Sequence, residues 1–172
     1  MSYWFTNKYS RIRGKKKLAA NTLIKLNLCF RGKKNKNMNE LIHKVESYQI
    51  IGKCFEVHNN LGPGFLEIVY KDALEYEFRK SKIPYEREKE YTINYKGLIL
   101  PHKFYADFVV FDKIILEIKA VSGIADEFVA RAINYLKVSN NKLALIVNFG
   151  ELKLNSKRIV LENKLKEWNK NC

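Results

Sequence analysis

Beginning at Asn39, the chain carries two helical patterns in succession. Leu41, Val45, Tyr48, Ile51, Phe55 and His58 recur at steps of three and four, the spacing that aligns side chains on one face of an α-helix. Asn39 is the expected N-cap, and Asn59-Asn60 with Gly62-Pro63-Gly64 ends the helix near Leu61. A second helix is expected over residues 65–80, with Leu66, Val69, Ala73 and Leu74 inward and Glu75, Glu77, Arg79 and Lys80 toward water. The period then falls to two. Tyr91, Ile93 and Tyr95 alternate with polar residues, and Lys96-Gly97 supplies the tight turn of a hairpin whose partner leads into a strand over residues 104–111. After a turn at Asp112-Lys113, residues 114–121 form the next strand. Gly123 opens a loop, and Asp126 is the expected cap of a third helix lined by Phe128, Ala132, Ile133 and Leu136. Residues 143–147 are apolar without a break, as expected of a strand buried on both faces and paired in parallel through a helical crossover. Residues 156–161 are the expected edge strand. The order is helix, helix, three strands, helix, strand: an α/β domain with a central mixed sheet flanked by helices.

Composition divides the 172 residues in two. The net charge of +14 suggests a polyanion binder, yet residues 1–37 hold 11 of the 32 Lys and Arg and none of the 18 acids. The remainder has 21 basic groups against 18 acidic ones, so its bulk charge argues little for nucleic acid and any phosphate contacts must be local. Residues 1–37 have three readings: a basic arm that tracks phosphates, an acid-poor transit peptide, or an extension foreign to a product starting at Met38. The domain is expected over residues 38–172. Cys29, Cys54 and Cys172 lie far apart without a C-x-x-C pair, which argues against a disulfide framework or zinc site and for a reducing, cytoplasmic setting. No apolar run approaches the roughly 20 residues of a membrane-spanning helix.

Charges interrupt two of the strands. Glu117 and Lys119 are two apart and leave one face, while Leu116, Ile118 and Ala120 leave the other. Asp107 stands between Ala106 and Phe108 in the preceding strand. If the strands are neighbours, the three charges converge. Two nearby carboxylates attract a hard divalent ion such as Mg²⁺, and a lysine beside it can serve a water and neutralise a phosphate. E-x-K is a common pattern, however, and equally fits a solvated strand face paired with Asp107. Glu67 and Tyr70 share a face of the second helix, and Glu67 is either a third carboxylate over the sheet or an acid favoured by the helix dipole. His58 is either a ligand for phosphate or a packed, capping histidine.

At these residues the chain resembles the GxxExxY proteins of the PD-(D/E)XK nuclease superfamily. The motif stands as Gly64-Phe65-Leu66-Glu67-Ile68-Val69-Tyr70, preceded by Val57-His58-Asn59-Asn60-Leu61-Gly62-Pro63. Further matches are Tyr95-Lys96-Gly97, Tyr105-Ala106-Asp107-Phe108, Leu116-Glu117-Ile118-Lys119-Ala120, Asn134-Tyr135-Leu136, Asn148-Phe149-Gly150 and Lys157-Arg158-Ile159, over residues 39–162. The resemblance implies a restriction-endonuclease-like core. It implies Asp107, Glu117 and the Ile118 carbonyl as holders of Mg²⁺ or Mn²⁺, Lys119 as the group serving the water, and Glu67 as the helix-borne acid. It departs at Arg131, where the family commonly has glutamine; arginine there would clasp phosphate or pair with Glu117.

Three functions fit: a metal-dependent nuclease acting on nucleic acid, with DNA favoured by superfamily habit; a nucleic-acid binder without catalysis; and a protein-interaction module whose charges are an ion-pair network. A homodimer is compatible with an enzyme that cuts two strands.

Overall fold

The structure, a computed structural model, describes residues 41–161. These fall within the unit Leu41–Cys172. The expectations for residues 1–37, Asn39, Cys29 and Cys172 fall outside the described residues.

Helix α1 spans Lys44–Leu61 and α2 spans Glu67–Lys80. Strand β1 (Tyr85–Tyr91) precedes a small hairpin of β2 (Asn94–Tyr95) and β3 (Leu98–Ile99), then β4 (Phe104–Val110) and β5 (Ile114–Lys119). Helix α3 (Asp126–Ser139) leads to β6 (Leu143–Asn148) and β7 (Asn155–Val160). The main sheet has the order β1-β4-β5-β6-β7. Only β5 and β6 pair in parallel; the other neighbours are antiparallel. The mixed sheet, the parallel crossover and the edge strand are therefore as the pattern predicts.

The helices differ from expectation in which side they bury. In α1 the inward stripe is Ser47, Ile50, Cys54, Val57 and His58. Of the stripe read from the sequence, Ile51 and His58 turn inward, while Leu41, Val45, Tyr48 and Phe55 are exposed. Both have helical spacing, and Ile50, Cys54 and Val57 are the ones that join the cluster containing α2 and the sheet. Ser47 is tolerated inside because its hydroxyl donates to the His43 carbonyl and accepts from Arg158 of β7, 2.7 and 2.6 Å away. Residues 41–43 are not helical, and His43 has a left-handed φ of 54°. In α2 the stripe is Tyr70, Leu74 and Phe78, and Leu66 is exposed. Glu75 and Glu77 do not face water as expected. Arg87 and Tyr85 of β1 bond to Glu75 at 2.5 and 2.9 Å, and Lys53 approaches Glu77 at 3.6 Å. In α3 Asp126 is the first helical residue rather than a cap, and Ala125 holds the cap position without a side-chain bond.

The strand expected around residues 91–95 is replaced by β1 as the partner of β4, and the hairpin at Lys96-Gly97 forms its own two-stranded ladder. The charged sequence of β1 hides its alternation: Tyr85, Arg87, Lys89 and Tyr91 are half-buried and Glu86, Glu88 and Glu90 exposed. One apolar layer joins α1 and α2 to Phe108, Val110, Ile114, Leu116, Ile118, Leu145 and Val147. A second joins α3 to Ala106, Val109, Ile115, Ala144 and Ile146. Burial of one such Ile or Leu side chain contributes about 1.5–3 kcal/mol, and β5 and β6, each buried along its whole length, form the centre of the sheet.

Candidate active site

The site forms where β4 and β5 part. Phe108 and Val110 face the α1–α2 layer and Val109 the α3 layer, yet Ala106, three residues from Val109, also faces α3. A regular strand alternates, so the pleat slips at Asp107. The same slip occurs opposite, where Tyr85 and Tyr91 of β1 pack in different layers. Between them Glu88 has φ 52°, and the rung joining it to Asp107 is missing from the register. A left-handed non-glycine residue stores of order 1–3 kcal/mol. What the slip achieves is visible on β5, whose pairing with β4 covers only residues 108–110 and 114–116. At the break the Asp107 carboxylate takes over a ladder position: its Oδ2 accepts the Ile118 N–H at 2.8 Å.

Glu117 and Lys119 point away from Leu116 and Ile118, into the space beside α3. Glu117 is 3% exposed, and among the described residues its Oε1, like Oε2 of Glu77, has no hydrogen-bond partner. Burial, and then the negative charge of Asp107, push its pKa up to about 7 against the pull of Lys119 and Arg131. The Lys119 ammonium donates to the Ile118 carbonyl at 2.7 Å and lies 3.6 Å from Glu117, 3.8 Å from Glu67 and 3.9 Å from Asp107. The Phe128 ring of α3 stands 5.6 Å from it. Glu67 opens α2 and reaches Lys119 from the exposed side, its side chain 39% exposed. Four of the residues singled out in the sequence therefore meet at one place.

Others named there do not. His58 is buried against Phe149, and its Nε2 stands 3.0 Å from the Glu151 carbonyl oxygen. Tyr70 is fully buried, stacked on Phe149, donating to the Gly62 carbonyl at 2.8 Å and accepting the Phe65 N–H. It braces the glycine turn before Glu67. Arg131 is exposed and, among the described residues, forms no ion pair; its charge reaches Glu117 only through space.

Sequence reasoning missed Lys71. One turn after Glu67, it sets its ammonium 2.5 Å from Asp107 Oδ1. Only the shared helical face of Glu67 and Lys71 hints at this. Tyr135 of α3 was also missed as a neighbour of the cluster. Burial and the Glu117 carboxylate push its phenol up to about 12, and its hydroxyl donates to the Tyr105 carbonyl at 2.6 Å. The end of β5 is braced by Asn148, which bonds both backbone groups of Val121, while the Phe149 N–H donates to the Lys119 carbonyl.

The donor set fits a hard divalent ion of the Mg²⁺ kind. Among the described residues no three His, Cys, Asp or Glu side chains are grouped to hold a metal unaided. Two carboxylates, Asp107 and Glu117, stand beside the Ile118 carbonyl, and Mg²⁺ characteristically takes one or two carboxylates and keeps several waters. The Oε1 of Glu117, without a hydrogen-bond partner among the described residues, is an oxygen free to bind such an ion.

The family model of the PD-(D/E)XK nuclease superfamily matches residues 44–159. Among solved structures, that titled "Crystal structure of SSO0001" superposes with a TM-score of 0.46 at 17% identity, covering 82% of this chain and 77% of that one. No curated protein is significantly similar in sequence. No helix among the described residues is long and apolar enough to cross a membrane.

Proposed function

Because the chain belongs to the PD-(D/E)XK nuclease superfamily, we propose that it is a metal-dependent nuclease that hydrolyses phosphodiester bonds of nucleic acid, with DNA the favoured substrate. The observation that carries this beyond family membership is Glu117, a buried carboxylate with a partnerless oxygen beside Asp107. Glu77 also has a buried oxygen without a hydrogen-bond partner, but only Glu117 has the negative charge of Asp107 pressing on it, and two carboxylates so placed suit a cation.

Asp107, Glu117 and the Ile118 carbonyl are the groups that would hold Mg²⁺ or Mn²⁺. When bound, that ion supplies Lewis-acid stabilisation of the phosphoryl oxygens and lowers the pKa of water. The protein's own residues do the rest. Lys119 is within 4 Å of all three carboxylates, and its ammonium would orient the attacking water and neutralise charge growing on the phosphoryl oxygens. Glu67 holds Lys119 from the open side. Phe128 shields the ammonium from bulk water, which strengthens its electrostatic effect. The short β4–β5 turn and the Asn148 brace keep Asp107 and Lys119 in register.

A second reading is a catalytically silent module on the same fold. It is favoured by the ion pairs of Lys71 and Lys119, which offset the carboxylates without a metal. The two part on one experiment. The full chain is incubated with supercoiled plasmid, single-stranded DNA and structured RNA in Mg²⁺, Mn²⁺ or EDTA, beside Lys119→Ala and Glu117→Ala. The nuclease reading expects metal-dependent cleavage, lost by a factor of at least about 10² in both folded variants. Cleavage that persists in EDTA or in both variants, or none with any substrate, rejects it.

A further inference from the structure

Lys71 is the one charged group of this cluster to which the reading above gives no task. Its ammonium and the Asp107 carboxylate are both largely buried, 15% and 12% exposed. With the Ile118 N–H on Oδ2 and Lys71 on Oδ1, both oxygens of Asp107 are engaged by the protein's own donors. Three carboxylates, Glu67, Asp107 and Glu117, thus face two ammonium groups, Lys71 and Lys119. A dication on Asp107 would bring two further positive charges onto a carboxylate that already holds one. In a half-buried site that repulsion is not screened away.

The two lysines are not equally free to yield. Lys119 is fixed by the Ile118 carbonyl and the Phe128 ring. Among the described residues Lys71 pairs with Asp107 alone, on a flexible four-carbon stem from a helix whose first residue, Glu67, is at the open edge. We infer that Lys71 is the internal counter-ion of Asp107 that a divalent cation displaces, and that the released ammonium then binds a phosphate oxygen of the nucleic acid. Phosphate suits it because substrate returns the negative charge that the cation has taken over. Lys71 would therefore weaken metal binding in the free protein and strengthen binding of the polyanion once metal is present. This inference rests on the metal-dependent reading, and its test separates the two.

The full chain and its Lys71→Met, Lys71→Gln and Lys71→Arg variants are titrated with Mn²⁺ by calorimetry without nucleic acid. Binding of a short fluorescein-labelled DNA duplex in Ca²⁺ is followed across a range of KCl concentrations. Circular dichroism selects the folded variants. The neutral variants should bind Mn²⁺ about tenfold more tightly than wild type. Their plot of log affinity for the duplex against log salt should be shallower by about 1, the signature of one lost phosphate contact, with Lys71→Arg restoring the slope. Equal or weaker Mn²⁺ binding by both neutral variants, or an unchanged slope, overturns the role of Lys71 while leaving the metal reading in place. A wild type that binds no Mn²⁺ overturns both.

Discussion

Replacing Glu117 by glutamine should stabilise the metal-free protein at alkaline pH while abolishing its activity. The wild-type carboxyl, ordinarily ionising at 4.5, is pushed up to about 7 chiefly by burial and then by Asp107. One pH unit corresponds to about 1.4 kcal/mol, so keeping Glu117 ionised in the folded chain costs about 3 kcal/mol. The sign follows from proton counting. Between about pH 4.5 and 7 the folded chain holds a proton that the unfolded chain has released, so stability falls as pH rises through that window and stays low above it. A glutamine does not titrate and escapes this loss. Urea unfolding of the full chain in EDTA, followed by far-ultraviolet circular dichroism, should show Glu117→Gln more stable than wild type by about 3 kcal/mol at pH 8. The gap should close toward pH 4.5. A variant equal to wild type at pH 8, or less stable there, would refute the view that Glu117 is held where its charge is unfavourable.

Two further substitutions test the frame around the site. Tyr70→Phe removes the hydroxyl that bonds Gly62 and Phe65, and should lower stability by about 1 kcal/mol in urea unfolding with metal-dependent cleavage unchanged. Gly150→Ala drives a Cβ into the backbone of Val121 and Ala120, just past Lys119. It should cost about 1–3 kcal/mol by the same measure and lower the rate of cleavage by displacing the end of β5.

The sheet was legible in the sequence because its signals are local. The apolar run of β6 and the alternation of Leu116, Glu117, Ile118 and Lys119 depend on nothing outside their own strands. The facing of α1 was not legible, since the helix carries two apolar stripes and the sequence does not say which meets the sheet. The choice involves Ser47, made acceptable inside by Arg158, 111 residues away. Strand β1 was missed because its half-buried Arg87 and Lys89 look like solvent-facing charges until their partners on α2 and along β1 are known. Within the site, Asp107, Glu117 and Lys119 stood out because charges in apolar strands are costly. Lys71 did not, because a lysine on a helix is ordinary until the helix is placed over β4. The slip at Glu88 and Asp107 has no signature in residue type at all.

The claim that the partnerless oxygen of Glu117 is the seat of a divalent ion is tested most directly by counting protons. The full chain is titrated with Mn²⁺ at pH 7 by calorimetry in two buffers of different ionisation enthalpy. With the Glu117 carboxyl pushed up to about 7, a fraction of a proton should leave for each ion bound, giving heats that differ between buffers. In Glu117→Gln the binding should weaken and the buffer difference vanish. No Mn²⁺ binding by the wild type, or binding whose heat is the same in both buffers, would contradict the account.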